Sequence, residues 1–234
     1  GTNYRAPIGR PHRVLDVGSG TGQWAFDLCA EFPEALVVGL DMVVSKPERP
    51  AGYRFVRTNA LQGLPFAAGV FDFAHQRFLT AGIPVASWPP LMQEMARVAR
   101  PGGWIELVEG APMIEPAGPA TTRLIELGRR LGSSLGLDTR GAIYGSLAEQ
   151  LHAAGLTHVT TRHVDLPIGE WGGRIGSFMA SDLRASFTRL TAVYQARLGL
   201  SAEECSELLT AMQVEWTELE TTLRIGYAFG RKPY

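Results

Sequence analysis

Asp16 stands two residues before the first of three alternate glycines, Gly18, Gly20 and Gly22, in the run Arg13-Val14-Leu15-Asp16-Val17-Gly18-Ser19-Gly20-Thr21-Gly22. A short apolar stretch ends in a carboxylate, a glycine turn follows, and Gln23 to Phe32 has helical character. Glycine reaches positive φ without penalty and lets a ligand approach the backbone closely. A dinucleotide fingerprint needs Gly-x-Gly-x-x-Gly. Here the third glycine comes one residue early, and Gln23 stands where that fingerprint wants glycine. A diphosphate would also be repelled by Asp16, whereas an ammonium group on a phosphate-free ligand would be attracted. S-adenosylmethionine is such a ligand. The alternative is a purely structural glycine turn.

Further along the chain, Asp41 ends a second apolar run, Ala35 to Leu40. In a right-handed crossover its tip lies beside the first. A carboxylate there accepts hydrogen bonds from both ribose hydroxyls, a device that dinucleotide folds share. Met42 follows as a candidate to pack on adenine. The competing reading of Asp41 is a surface turn aspartate.

Residues 13–22 resemble motif I of the class I S-adenosylmethionine-dependent methyltransferases. Ala99-Arg100-Pro101-Gly102-Gly103-Trp104 resembles that family's turn into its fifth strand, and Leu64-Pro65-Phe66 with Gly69 to Ala74 resembles its approach to the fourth. The resemblance implies S-adenosylmethionine as cofactor, held by Asp16, Gly18, Ser19, Gly20, Gly22, Trp24, Asp41 and Met42. It places Asn59 and Ala60 at the adenine edge and Gln76 at the methionine moiety. Gly-Thr-Gly-Gln-Trp at 20–24 and His-Gln-Arg-Phe at 75–78 are similar to a branch holding small-molecule methyltransferases and LaeA-type regulators. The Asn-Pro-Pro-Tyr signature of amino-methyltransferases is absent, which argues against the branches that modify adenine and glutamine.

The implied fold is α/β, a doubly wound Rossmann-like sheet of seven strands with the last antiparallel. Strands are expected from Arg13 to a tip at Asp16, and at 35–40, 53–57, 70–75, 104–109, 156–164 and 224–231. Helices are expected at 23–32, 87–100, 120–136 and 146–154. The proline-rich 45–52 reads as a loop or short helix. The stretch between the last two strands far exceeds a hairpin. It reads as a helical insertion, 168–223, within a single domain 1–234. One insertion helix covers 175–198, with Phe178, Met179, Phe187, Leu190 and Tyr194 as core positions. A second starts at a capping box, Ser201 with Glu204, and carries Leu208, Leu209, Met212, Trp216 and Leu219 on one side. This insertion is a candidate lid.

Methyl transfer from a sulfonium needs alignment of donor and nucleophile, and a base where the acceptor must lose a proton. His75, expected at the tip of strand four, is the candidate catalytic base. The competing reading is a histidine satisfied within the sheet. Cys29 and Cys205 are too few for a disulfide framework or a zinc site, and no metal-ligand pattern is present. The net charge of −1 and the lack of a basic run exclude a nucleic-acid footprint. No apolar run is long enough for a membrane span, so the chain reads as cytoplasmic. The early first strand raises the expectation that native residues precede Gly1. The expected partner is a small-molecule substrate, with oligomeric state open. The leading expectation is methyl transfer to an O, N or C atom in secondary metabolism. The rivals are a non-methylating, cyclase-like reaction and a regulatory role.

Overall fold

The computed structural model describes residues 3–44 and 49–234; the first half of the proline-rich stretch 45–52 expected to form a loop or short helix, 45–48, lies outside them. Seven strands form one sheet in the order β3-β2-β1-β4-β5-β7-β6, with β7 antiparallel to its neighbours. They are β1 Arg13–Val17, β2 Leu36–Asp41, β3 Tyr53–Arg57, β4 Phe71–Arg77, β5 Ala99–Glu115, β6 Thr157–Pro167 and β7 Thr222–Arg231. The helices are α1 Gln23–Glu31, α2 Trp88–Val98, α3 Pro119–Ser134, α4 Ala142–Gly145, α5 Leu147–Ala153, α6 Gly173–Leu198 and α7 Ala202–Glu218. The chain divides into two compact units.

The first unit comprises residues 1–109, 143–162 and 227–234. Its central strands β1 and β4 are parallel and buried on both faces, so their side chains sort by the two-residue strand period. Leu15 and Val17 join Trp88, Leu91, Met92 and Met95 of α2 in one core cluster. Val14 and Phe73 join Trp24, Ala25 and Leu28 of α1 in the other. Asp16 and His75 follow the parity of Val14 and Phe73, so they belong to the α1 face; Gln76 belongs to the α2 face.

Two boundaries differ from the expectation in ways that matter for the site. Strand β4 continues to Arg77 rather than ending at 75, because His75, Gln76 and Arg77 all pair with β5. Strand β5 begins at Ala99, and the turn Arg100-Pro101-Gly102-Gly103 is absorbed as an irregularity between the Phe71–Ala99 and Phe73–Trp104 pairs. Gly103 is obligatory there: a Cβ would stand 2.9 Å from the Arg100 carbonyl and 3.0 Å from that of Asp72.

The second unit comprises residues 110–142 and 163–226. The capping box of α7 forms as expected: Ser201 Oγ accepts from Glu204 N at 3.0 Å, and Glu204 accepts from Ser201 N at 2.6 Å. Helix α7 buries Cys205, Leu209, Met212 and Trp216, and its Glu215 accepts hydrogen bonds from the first turn of α3, at Ala120 N and Thr121 N. The expected core face of α6 is a correction. Gly176 and Tyr194 are its buried residues, while Phe178 is 62% exposed and Leu190 is also on the surface.

Candidate active site

The glycine turn is pinned to the second strand. Gly18 N and Ser19 N both donate to the Leu40 carbonyl, at 2.8 and 3.0 Å, and Gly22 N donates to Ser19 O. Gly18, Gly20 and Gly22 all have positive φ, at 71°, 52° and 79°. They differ in surroundings. A Cβ on Gly18 would stand 2.5 Å from Leu79 Cδ2, whereas one on Gly20 would meet nothing within 4 Å. Gly22 is the left-handed N-cap of α1, so Gly22 turns the chain and Gly18 admits a close neighbour.

Beyond the ends of β1, β2 and β3 lies a cleft of about 410 Å³, lined by Gly18, Leu40, Asp41, Met42, Thr58, Asn59, Ala60, Leu61, Leu79, Gly82 and Ile83. It thus brings together five of the residues singled out from sequence: Gly18, Asp41, Met42, Asn59 and Ala60. Asp41 Oδ2 accepts from Gly20 N at 2.9 Å, and its Oδ1 from Val43 N at 3.0 Å. Each carboxylate oxygen has a second acceptor site, so two hydroxyls can still be bound. Asn59 Oδ1 accepts from Leu61 N at 3.0 Å, capping the short 3₁₀ turn Ala60–Gln62. Arg57 Nε donates to the Met42 carbonyl at 3.1 Å, which fixes the backbone of that wall.

Ser19, Gly20 and Gly22 shape the turn without lining the cleft. Trp24, Gln76 and His75 do not line the cleft. All three are buried: His75 and Gln76 lie within β4 and point to opposite faces by the parity given above, while Trp24 of α1 packs on Phe73 and His75. His75, at 1% exposure, stacks flat on Trp24 with centroids 3.8 Å apart. Its Nδ1 lies 3.3 Å from Asp16 Oδ1, and its Nε2 4.0 Å from Glu106 Oε1. The sheet register puts Asp16 opposite His75 and His75 opposite Glu106. These three polar side chains therefore form one row across β1, β4 and β5 on the α1 face. His75 is thus enclosed within the sheet, and its Nε2 is buried without a hydrogen-bond partner among the described residues. The Trp24 indole donates to the Asn3 carbonyl at 2.8 Å.

Glu106 ties the chain's start to this row, since its Oε2 accepts from Arg5 N and Ala6 N at 2.6 and 2.7 Å. Burial pushes its carboxyl up, against the lowering effects of His75 and the two backbone donors. Tyr4 points elsewhere, donating to Glu31.

On the opposite sheet face, Gln76 Nε2 donates to Glu109 Oε1 at 2.9 Å. Glu109 also accepts from Leu79 N, Thr80 N and Thr80 Oγ1. A fully buried carboxylate thus holds the loop that supplies Leu79, Gly82 and Ile83 to the cleft; burial raises its pKa, while those hydrogen bonds lower it. Sequence reading missed that loop. The signal was available: it follows strand four, and in this topology ligands bind beyond the strand ends.

The cleft is mostly apolar, and Asp41 is its one titratable side chain among the described residues. No group of histidines, cysteines and carboxylates among the described residues could hold a metal ion. No described helix is long and apolar enough to cross a membrane.

The fold and cleft define a Rossmann-like protein with a nucleoside-sized site at its strand ends. A family model described as a methyltransferase domain matches residues 14–103. The N-methyltransferase verN of Clonostachys rogersoniana is 25% identical, covering 98% of this chain and 83% of its own. The secondary metabolism regulator laeA of Aspergillus fumigatus is 30% identical, over 71% of this chain and 46% of its own. The phosphoethanolamine N-methyltransferase 2 of Haemonchus contortus superposes with a TM-score of 0.62 at 15% identity, over 98% of this chain and 50% of that one. The chain is thus similar to S-adenosylmethionine-dependent methyltransferases, among them small-molecule enzymes and LaeA-type regulators. It spans less than half the length of several relatives it matches.

Proposed function

We propose that this protein moves a methyl group from S-adenosylmethionine to an O, N or C atom of a small-molecule acceptor in secondary metabolism. The carrying observation is the cleft that unites Gly18, Asp41, Met42, Asn59 and Ala60. These residues fit the donor. Gly18 lacks the Cβ that would narrow the cleft, Asp41 retains acceptor sites for two ribose hydroxyls, and Met42 offers a thioether wall to adenine. The bound donor supplies a methyl group already activated by positive sulfur. What the chain adds is alignment and a low-water surface, and proximity with orientation can contribute about 7–11 kcal/mol. Among the described residues Asp41 is the one titratable side chain lining the cleft, so acceptors that need no deprotonation by the enzyme suit this site best.

Calorimetry with S-adenosylmethionine and with NAD tests the donor reading, and binding of NAD alone would sink it. Product mass with and without the donor separates methylation from a cyclase-like reaction. A regulatory role is the second reading, favoured by the exposed Ile175 and Phe178 of α6 and by the regulators among the relatives. We assign acceptor choice to the insertion 168–223. Photo-crosslinking an acceptor analogue tests this, and labels confined to residues 75–145 would defeat it.

A further inference from the structure

In the second unit, the C-terminal half of α3 and the connector after it border an open pocket of about 600 Å³. It is lined by Arg129, Arg130, Ser133, Thr139 and Arg140. The connector is held in place locally. Leu137 N donates to the Gly132 carbonyl at 2.9 Å, and Asp138 Oδ1 accepts from Arg140 N, Gly141 N and Ala142 N. Gly132 allows the approach, because a Cβ there would stand 2.7 Å from Thr139 Cγ2. The result brings a third arginine, from a separate segment, to two that already share a helix.

Arginines near a helix C-terminus are ordinarily explained by the helix dipole. Two observations go beyond that. First, the ion pairs among the described residues include none of the three; Glu126, on the preceding turn, pairs with Arg123 instead. Second, Arg129 Nε is buried without a hydrogen-bond partner among the described residues, and its Nη2 faces the sulfur of Met113, a weak acceptor. The Ser133 and Thr139 hydroxyls hydrogen-bond to each other at 3.3 Å, which leaves one O–H to donate to a ligand. Guanidinium groups match phosphate and carboxylate oxygens through paired N–H bonds.

We propose that this pocket binds a compact oxyanion with two or more negative charges, a phosphate ester or a dicarboxylate. The net charge of −1 and the lack of a basic run give no footprint for a nucleic-acid strand, so a small molecule is the fitting occupant. The proposal does not rest on the donor reading, since every lining residue lies outside the donor cleft.

The test uses the whole protein, titrated with pyrophosphate and separately with succinate while the arginine Nε–H resonances are followed. A saturable shift of the Arg129 resonance is expected, weakening as salt rises. The stronger of the two probes identifies the oxyanion class. Arg130→Gln and Arg140→Gln, both at exposed positions, should each weaken binding by about ten- to a hundredfold, the weight of one charge-assisted hydrogen bond. Binding of S-adenosylhomocysteine should be unchanged in both variants. Equal affinity in wild type and variants, shifts confined to other residues, no shift at millimolar probe, or tighter binding of an RNA oligomer than of either probe would each overturn the proposal.

Discussion

Asp41 Oδ2 accepts a hydrogen bond from the Gly20 backbone N–H at 2.9 Å, so the carboxylate that ends the second strand is bonded to the glycine turn that ends the first. One residue thereby serves two purposes: it faces the cleft and it holds the turn beside it. Asp41→Ala removes both. Donor affinity should fall by roughly ten- to a hundredfold, because hydrogen bonds to a charged group are worth about 1.5–3 kcal/mol and water recovers part of that. Asp41→Asn keeps one oxygen for Gly20 N and should fall between the variant and wild type. Calorimetry with S-adenosylmethionine measures both, and an unchanged dissociation constant would move the ribose contact elsewhere.

The glycines of the turn should not respond alike to substitution. Gly20→Ala adds a methyl group to open space and meets only the left-handed backbone penalty, about 1–2 kcal/mol. Gly18→Ala meets that penalty and the Leu79 side chain as well. Gly18→Ala is therefore expected to depress donor affinity more than Gly20→Ala, and pairing it with Leu79→Ala should recover part of the loss. Thermal melts read the stability component and calorimetry the affinity component. Equal losses at the two positions would mean that the Leu79 contact plays no part.

Much of the donor cleft was legible because its residues sit at strand ends, where a chain motif and a topological rule agree. Asp41, Met42, Asn59 and Ala60 follow their strands directly, so the strand boundary locates them. His75 and Gln76 depended on the end of β4, which propensity alone does not fix. Two further residues of pairing with β5 carry both side chains into the sheet, to opposite faces. The burial of Trp24 was hidden for a related reason: its helical face is set by packing against Phe73 and His75, and spacing within α1 does not reveal that. The seven strands and the capping box were readable from local patterns. The burial of α6 was not, since its apolar residues lie at helical spacing whether or not anything covers them.

His75 should behave as part of the sheet. His75→Gln loses the stack on Trp24 and disturbs the row with Asp16 and Glu106. A loss of about 2 kcal/mol would be ordinary for such a change, which lowers Tm by about 4–8 °C in a chain of this size. Turnover of an identified acceptor, corrected for folded fraction, should keep its pH profile. A drop of about 10²–10⁴-fold with Tm untouched is the signature of a general base, and would restore His75 to the chemistry.

Acid stability should report on a clamp behind the Ala60 wall of the cleft. Glu94 Oε2 accepts from Leu64 N at 2.8 Å, while Arg97 donates to Glu94 and to the carbonyls of Leu64 and Phe66. The pair thus fixes the segment that follows the 3₁₀ turn of Ala60, a cleft residue. The Arg97 guanidinium beside it is the largest influence on Glu94 and holds its carboxyl at about 2, well below the ordinary 4.5. The folded state therefore binds this proton more weakly than the unfolded chain does. The clamp's stabilisation is present above the ordinary value and is lost as pH falls toward about 2. Both side chains are partly exposed, so solvent screening reduces its size. Glu94→Gln should lower Tm at pH 6, and the gap to wild type should narrow through the window below pH 4.5 and close near pH 2. Melts across that range decide the matter: two curves that stay parallel down to the acid end would show that the carboxylate is not what holds the segment.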